Sequence, residues 1–202
     1  MQWPETMDLV ARSRARSRRA LEILEALSLL EGWRRYGRPV VVGAVANALA
    51  LDPDIDMEIY CPQLRPEHGF AVLGAAAQNP GVRETLFQNH MAGPDKALYW
   101  QIRYVEDDGE VWKIDMWSAP DDYALPRGED LVAPLGRALT PEIRRAILEL
   151  KAWRAATPEV RFLSVDLYRA VVDGGVRTPQ AFQDWLAGHE TGVLTPWRPS
   201  QT

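Results

Sequence analysis

The sequence predicts an α/β fold in which a sheet-bearing core is followed by a helical bundle. Three observations predict it. Between Pro39 and Pro120, short apolar or alternating runs are separated by turn residues. Beyond Pro120 the apolar spacing changes to the helical period. In that second half the dipeptides Thr140-Pro141 and Thr178-Pro179 each supply a capping hydroxyl and a first-turn proline. The expected divisions are a helical segment of the core over 1–38, the core proper over 39–120 and a helical region over 121–202.

Residues 8–36 read as helix, with Ala20, Leu24, Leu27 and Leu30 near the helical period and Gly32 and Gly37 as terminators. The run Arg12, Arg14, Arg16, Arg18 and Arg19 inside it could meet phosphates, but reads rather as a solvated helix face, because no aromatic residues are interleaved to stack on bases. Residues 39–42 form a short β-branched run closed by Gly43, as in a buried strand that turns sharply into a helix over 44–51. A second strand over 55–61 alternates strictly. Ile55, Met57 and Ile59 fall on one face, and Asp54, Asp56 and Glu58 on the other. A helix over 66–78 and a third strand over 82–88 follow.

Residues 98–105 and 111–117 form a hairpin whose register depends on the length of its loop. A three-residue loop ending at a left-handed Gly109 sets Asp115 opposite Gln101 and Lys113 opposite Arg103. It gathers Trp100, Ile102, Tyr104, Trp112, Ile114 and Met116 on the other, buried face, whereas a slip of one residue would strand that apolar set in water. In the helical half, Ile143, Ala146, Ile147, Leu150 and Trp153 form one stripe. A helix opening at Ser164 ends at Gly174-Gly175, and another follows Thr178.

Composition bounds the function. A chain of 202 residues holds one compact domain, or one with a helical extension. A hydrophobic fraction of 47% with 8 Trp excludes a disordered chain, and 14 Gly and 15 Pro without period exclude a collagen-like one. The net charge of -5 argues against a duplex nucleic-acid binder. Cys61, the single cysteine, can form neither an intramolecular disulfide nor a multi-thiolate zinc site, so a cytoplasmic location is expected. Residues 1–19 contain no secretory apolar core, and the longest apolar region, 40–51, is interrupted and shorter than the ~20 residues that span a bilayer. No membrane partner is expected.

Asp54-Ile55-Asp56 is the most informative tripeptide. Its two carboxylates point the same way from a strand, roughly 7 Å apart at Cα, and can converge on a hard cation. Asp115 lies in an otherwise apolar strand, where an unpartnered acid is costly, and is the natural third ligand. A calcium loop starting at Asp52 fails, because it needs Gly where Met57 stands and Glu where Gln63 stands. On the residues alone, a solvated acidic face of an edge strand remains an equal alternative. His68, His90 and His189 match no metal-ligand spacing. The chain has no Gly-x-Ser-x-Gly elbow, Walker loop or dinucleotide fingerprint.

Val41-Val42-Gly43-Ala44, a short helix, Asp54-Ile55-Asp56-Met57-Glu58-Ile59 and the later Ile114-Asp115-Met116 together resemble the DNA polymerase β-like nucleotidyltransferase superfamily. Its signature is a strand ending in Gly-Ser, a short helix, an Asp-x-Asp strand and a third acid on another strand. The resemblance covers about residues 40–118, with ten residues between Gly43 and Asp54. It implies a small mixed-sheet nucleotidyltransferase core with helices on one face, followed by a helical appendage. It also implies that Asp54, Asp56 and Asp115 bind magnesium as two ions and that Asp115 helps deprotonate an acceptor hydroxyl. Gly43 and Ala44 would then approach a nucleoside triphosphate. Lys113 and Arg103 either hold its phosphates or form a surface pair, and Trp117 reads either as core, with Trp100 and Trp112, or, on the Asp115 face, as a residue that stacks on a base or acceptor ring.

The implied reaction moves AMP from ATP to a hydroxyl of a small molecule or a protein. Size and helical tail are similar to small antibiotic adenylyltransferases and to minimal nucleotidyltransferases of toxin-antitoxin pairs. One residue departs from the signature: Ala44 stands where the family has Ser. A hydroxyl contact to a charged group is lost there, at a cost of ~1.5–3 kcal/mol. That departure motivates the alternative of a catalytically silent nucleotide-binding or protein-interaction module.

Overall fold

The computed structural model describes residues 8–157, 159–193 and 195–199. The expected long first helix is two: α1 spans Leu9–Ala26 and α2 spans Leu29–Arg34. The break falls at Ser28, whose φ of 50° is left-handed, and Gly32 continues α2 rather than ending it. Next come β1 (Arg38–Val42) and α3 (Gly43–Ala46). α3 is a single turn, shorter than expected, because Ala48 turns left-handed at φ 52° and releases Leu49 and Leu51 into a buried cluster.

The remaining sheet elements are β2 (Asp54–Cys61), β3 (Val82–Asn89), β4 (Leu98–Val105) and β5 (Val111–Pro120), with α4 (Pro66–Ala76) between β2 and β3. They form one mixed sheet in the order β1-β2-β5-β4-β3, in which only β2 and β5 run parallel. The β4–β5 hairpin has the expected register, with Gln101 opposite Asp115 and Arg103 opposite Lys113. Gly109 takes φ 87° at the end of the loop, and Glu106 N–H donates to Glu110 O at 2.9 Å to close it.

That register gives the sheet a dry face and a polar face. Ile55, Met57, Ile59, Trp100, Ile102, Trp112, Ile114 and Met116 are wholly buried under Ile23, Leu24, Trp33, Val72 and Leu73 of α1, α2 and α4. Each such side chain contributes about 1.5–3 kcal/mol when fully withdrawn from water. The arginine run divides between environments. Arg14 and Arg18 are exposed as expected, but Arg16 is buried against Glu110 at 2.5 Å and Arg19 meets Glu106 at 2.5 Å, which ties α1 to the hairpin loop.

Beyond the sheet lie α5 (Glu129–Ala138), α6 (Pro141–Ala156), α7 (Ser164–Val172) and α8 (Pro179–Ala187). The Thr140 and Thr178 hydroxyls accept from Ile143 N and Ala181 N, so both Thr-Pro caps form. Leu135, Ile147, Leu150, Leu167 and Phe182 bury a second cluster that takes in Leu49 and Leu51 from the core. Among the described residues, no helix is long and apolar enough to cross a membrane.

Candidate metal centre

Because β2 and β5 are parallel neighbours in register, Asp56 lies directly beside Asp115, and Asp54 lies beside Lys113. One carboxylate oxygen from each of Asp54, Asp56 and Asp115 falls within 4.8 Å of the others, the only such grouping of His, Cys, Asp and Glu among the described residues. Three carboxylates that close fit a hard divalent cation or a pair of them, and like charges at that range otherwise resist joint ionisation. Burial pushes the Asp56 carboxyl up to about 7, with the charges of Asp54 and Asp115 adding to it. Asp54 is raised in the same direction by burial, against the pull of Lys113.

Lys113 partly offsets this charge, with Nζ 2.8 Å from Asp115 Oδ2 and 3.3 Å from Asp54 Oδ1. Burial alone would lower its pKa, but the hydrogen bonds and charges of Asp115 and Asp54 prevail and raise it. The other oxygen of Asp115 accepts from Tyr99 Oη at 2.8 Å and Gln101 Nε2 at 3.1 Å. Burial, followed by donation to Asp115, carries the Tyr99 phenol up to about 12. Asp115 is thus held in one orientation from three sides. Gly43 closes the site from β1's end: its φ is 63°, and a Cβ there would lie 2.3 Å from Asp56 Oδ2. Only glycine allows that backbone path and that approach.

Arg103 shares the sheet face but is exposed and pairs with Glu84 at 3.4 Å, outside the acid group. Ala44 lines a cleft between the acids and the helical half. Across it stand Lys151 and Arg154 of α6, Ser164 and Tyr168 of α7, and Leu131 and Leu135 of α5. Lys151 is buried, donating to Leu49 O at 3.0 Å, and the buried Tyr168 hydroxyl has no hydrogen-bond partner among the described residues. None of these four polar residues stood out as functional in the sequence. One signal was present for Lys151, a cation on the core-facing stripe beside Ile147 and Leu150.

Glu58, the third acid of the β2 alternation, is not a ligand. Its oxygens accept from Gly128 N at 2.7 Å, Glu129 N at 2.9 Å and Tyr60 Oη at 2.6 Å, which anchors the start of α5. Trp117 lies beyond Asp115 on the same face, its ring 4.8 Å from Tyr99 and 5.4 Å from His90. The three histidines stay out of the acid group: His68 stacks on Tyr36, His90 faces Asp95, and His189 stacks on Trp185.

No family model matches the chain, and no curated protein matches it. Solved structures do. A cytoplasmic RNA terminal U-transferase superposes with a TM-score of 0.56 at 14% identity, covering 77% of this chain and 44% of its own. Cid1 in complex with its short product ApU gives a TM-score of 0.56 at 13% identity, covering 78% and 48%. A mutant of the Cid1 poly(U) polymerase bound to MgATP gives 0.56 at 14% identity, covering 79% and 49%. The chain therefore spans about half the length of these structures. At 13–14% identity the likeness is one of fold, shared by the mixed α/β sheet and the helices around it.

Proposed function

We propose that the protein is a magnesium-dependent nucleotidyltransferase that moves a nucleoside monophosphate, AMP from ATP, onto a hydroxyl of a small molecule or a protein. The observation that carries this reading is the convergence of Asp54, Asp56 and Asp115 within 4.8 Å at the edge of a cleft. These three residues would hold a pair of magnesium ions, which supply neutralisation of phosphate charge and acidification of the attacking hydroxyl.

The chain's own groups do the positioning. Gly43 and Ala44 bring backbone to the cleft floor, where a triphosphate meets Lys151 and Arg154 from the opposite wall. Tyr168 offers its unpaired hydroxyl in the same cleft. The acceptor approaches along the sheet face past Trp117. Its oxygen bonds to the α-phosphorus as the bond to pyrophosphate breaks, and Asp115 takes the hydroxyl proton. Tyr99 and Gln101 keep Asp115 aimed for that transfer. Such chemistry rests on alignment and charge neutralisation, which a rigid register between two strands provides.

The test is pyrophosphate release from each nucleoside triphosphate with magnesium across a panel of hydroxyl acceptors. Turnover by the wild type, reduced at least about 100-fold in Asp54→Asn, supports the reading. Turnover that survives Asp54→Asn rejects it. Nucleotide binding without turnover on any acceptor favours the silent module that Ala44 suggests.

A further inference from the structure

Arg14 and Arg18, two members of the arginine run, do not join the ion pairs that Arg16 and Arg19 make with the hairpin. Arg14 and Arg18 are four residues apart on α1 and so project from one side of the helix. With Arg144 of α6 they line a concavity floored by Ala46, Asn47 and Ala48. Among the described residues, no carboxylate forms an ion pair with any of these three arginines, although the chain as a whole is acidic. Arg144 is held in place by donating to Asn47 O at 2.7 Å and Ala48 O at 2.9 Å. Burial, followed by the like charge of Arg14, depresses its pKa.

A second feature at the same place asks for a ligand. Ser17 lies on the wall of this concavity, is only 5% exposed, and its hydroxyl has no hydrogen-bond partner among the described residues. Guanidinium groups beside an unpaired hydroxyl, with no acid among them, match the donors that a phosphate group requires. We infer that Arg14, Arg18, Arg144 and Ser17 form a phosphate-binding site on the outer side of the Ala46–Ala48 turn, separate from the carboxylate centre. Asn47 lines both this concavity and the cleft beside the acids, so a single loop divides the two. The phosphate belongs either to a single-stranded nucleic-acid backbone or to a free phosphate compound.

The experiment uses the full chain in EDTA, where the acid centre repels phosphates and the result does not depend on the nucleotidyltransferase reading. Two probes are titrated: inorganic pyrophosphate and a short labelled single-stranded oligoribonucleotide. The double variant Arg14→Gln/Arg18→Gln is expected to bind at least about ten-fold more weakly, with a shallower salt dependence. Arg83→Gln, which removes an exposed arginine on β3, is expected to bind as the wild type does. An oligoribonucleotide bound ten-fold tighter than pyrophosphate assigns the site to a backbone, and equal or weaker binding assigns it to a free phosphate. Wild-type affinity in the double variant, an equal loss in Arg83→Gln, or no binding of either probe overturns the inference. Thermal melts of each variant confirm that it is folded.

Discussion

Gly43 and Asp56 are in contact, and that contact decides how much change the site tolerates. In Gly43→Ala, a methyl would meet Asp56 Oδ2 at 2.3 Å on a backbone at φ 63°. The expected cost is about 1–3 kcal/mol of stability, with weaker magnesium binding, both readable from thermal melts with and without the ion. An unchanged melt and affinity would contradict the geometry. Lys113 makes the opposite prediction, since its ammonium occupies the space between Asp54 and Asp115. Lys113→Met is expected to tighten Mn²⁺ binding several-fold in calorimetry, because a competing cation has been removed. Ala44→Ser, which supplies the hydroxyl of the signature that the sequence resembles, is expected to tighten triphosphate binding by about ten-fold. At this scale the acids were legible because alternation on a strand fixes their direction. Lys151 and Tyr168 were not, because only the docking of α6 and α7 brings them to the cleft.

Among the elements, α5 depends on one side chain of β2. Glu58 binds both N–H groups at its start, so Glu58→Ala removes a cap and leaves the Tyr60 hydroxyl without its acceptor. A loss of about 1–2 kcal/mol is expected. Because Leu131 and Leu135 of α5 line the cleft, KM for the nucleotide should rise while the metal affinity stays near the wild-type value. Equal losses in both would show that Glu58 supports the acids themselves. The hairpin register could be read in advance, since only one loop length buries the whole aromatic and aliphatic face. The parallel pairing of β2 with β5 could not be read that way, because β3 and β4 intervene in the chain and local periodicity carries no information on such contacts. The breaks at Ser28 and Ala48 escaped for another reason. Both are left-handed at residues other than glycine, and tertiary burial overrides local preference there.

For the whole molecule, the acid cluster ties stability to pH and to metal. Asp56 is at about 7 in the folded chain against an ordinary value of 3.8, so between those limits the native state holds a proton that the unfolded state has released. The stability this contributes is complete below the unfolded value and is lost as pH rises through about 7. Without metal, the melting temperature should therefore fall from pH 5 to pH 8 more steeply in the wild type than in Asp56→Asn. Magnesium needs the ionised form, so its stabilising effect should be larger at pH 8 than at pH 5. A metal effect independent of pH would contradict the assignment. The net charge of -5 conceals a division in which, among the described residues, one place concentrates carboxylates and another gathers arginines without ion-paired acids. Binding two divalent cations at the three carboxylates would reverse the local charge that a phosphate ligand meets.

Asp54, Asp56 and Asp115 should jointly hold divalent metal beside the cleft. Crystals grown with Mn²⁺ and a non-hydrolysable ATP analogue test it most directly through anomalous scattering. A peak ligated by all three carboxylates is expected, with the triphosphate running toward Gly43 and Lys151. Lys113 should withdraw from Asp54. A triphosphate bound in the cleft with no peak among the three carboxylates, or a peak only at unrelated surface acids, would contradict it.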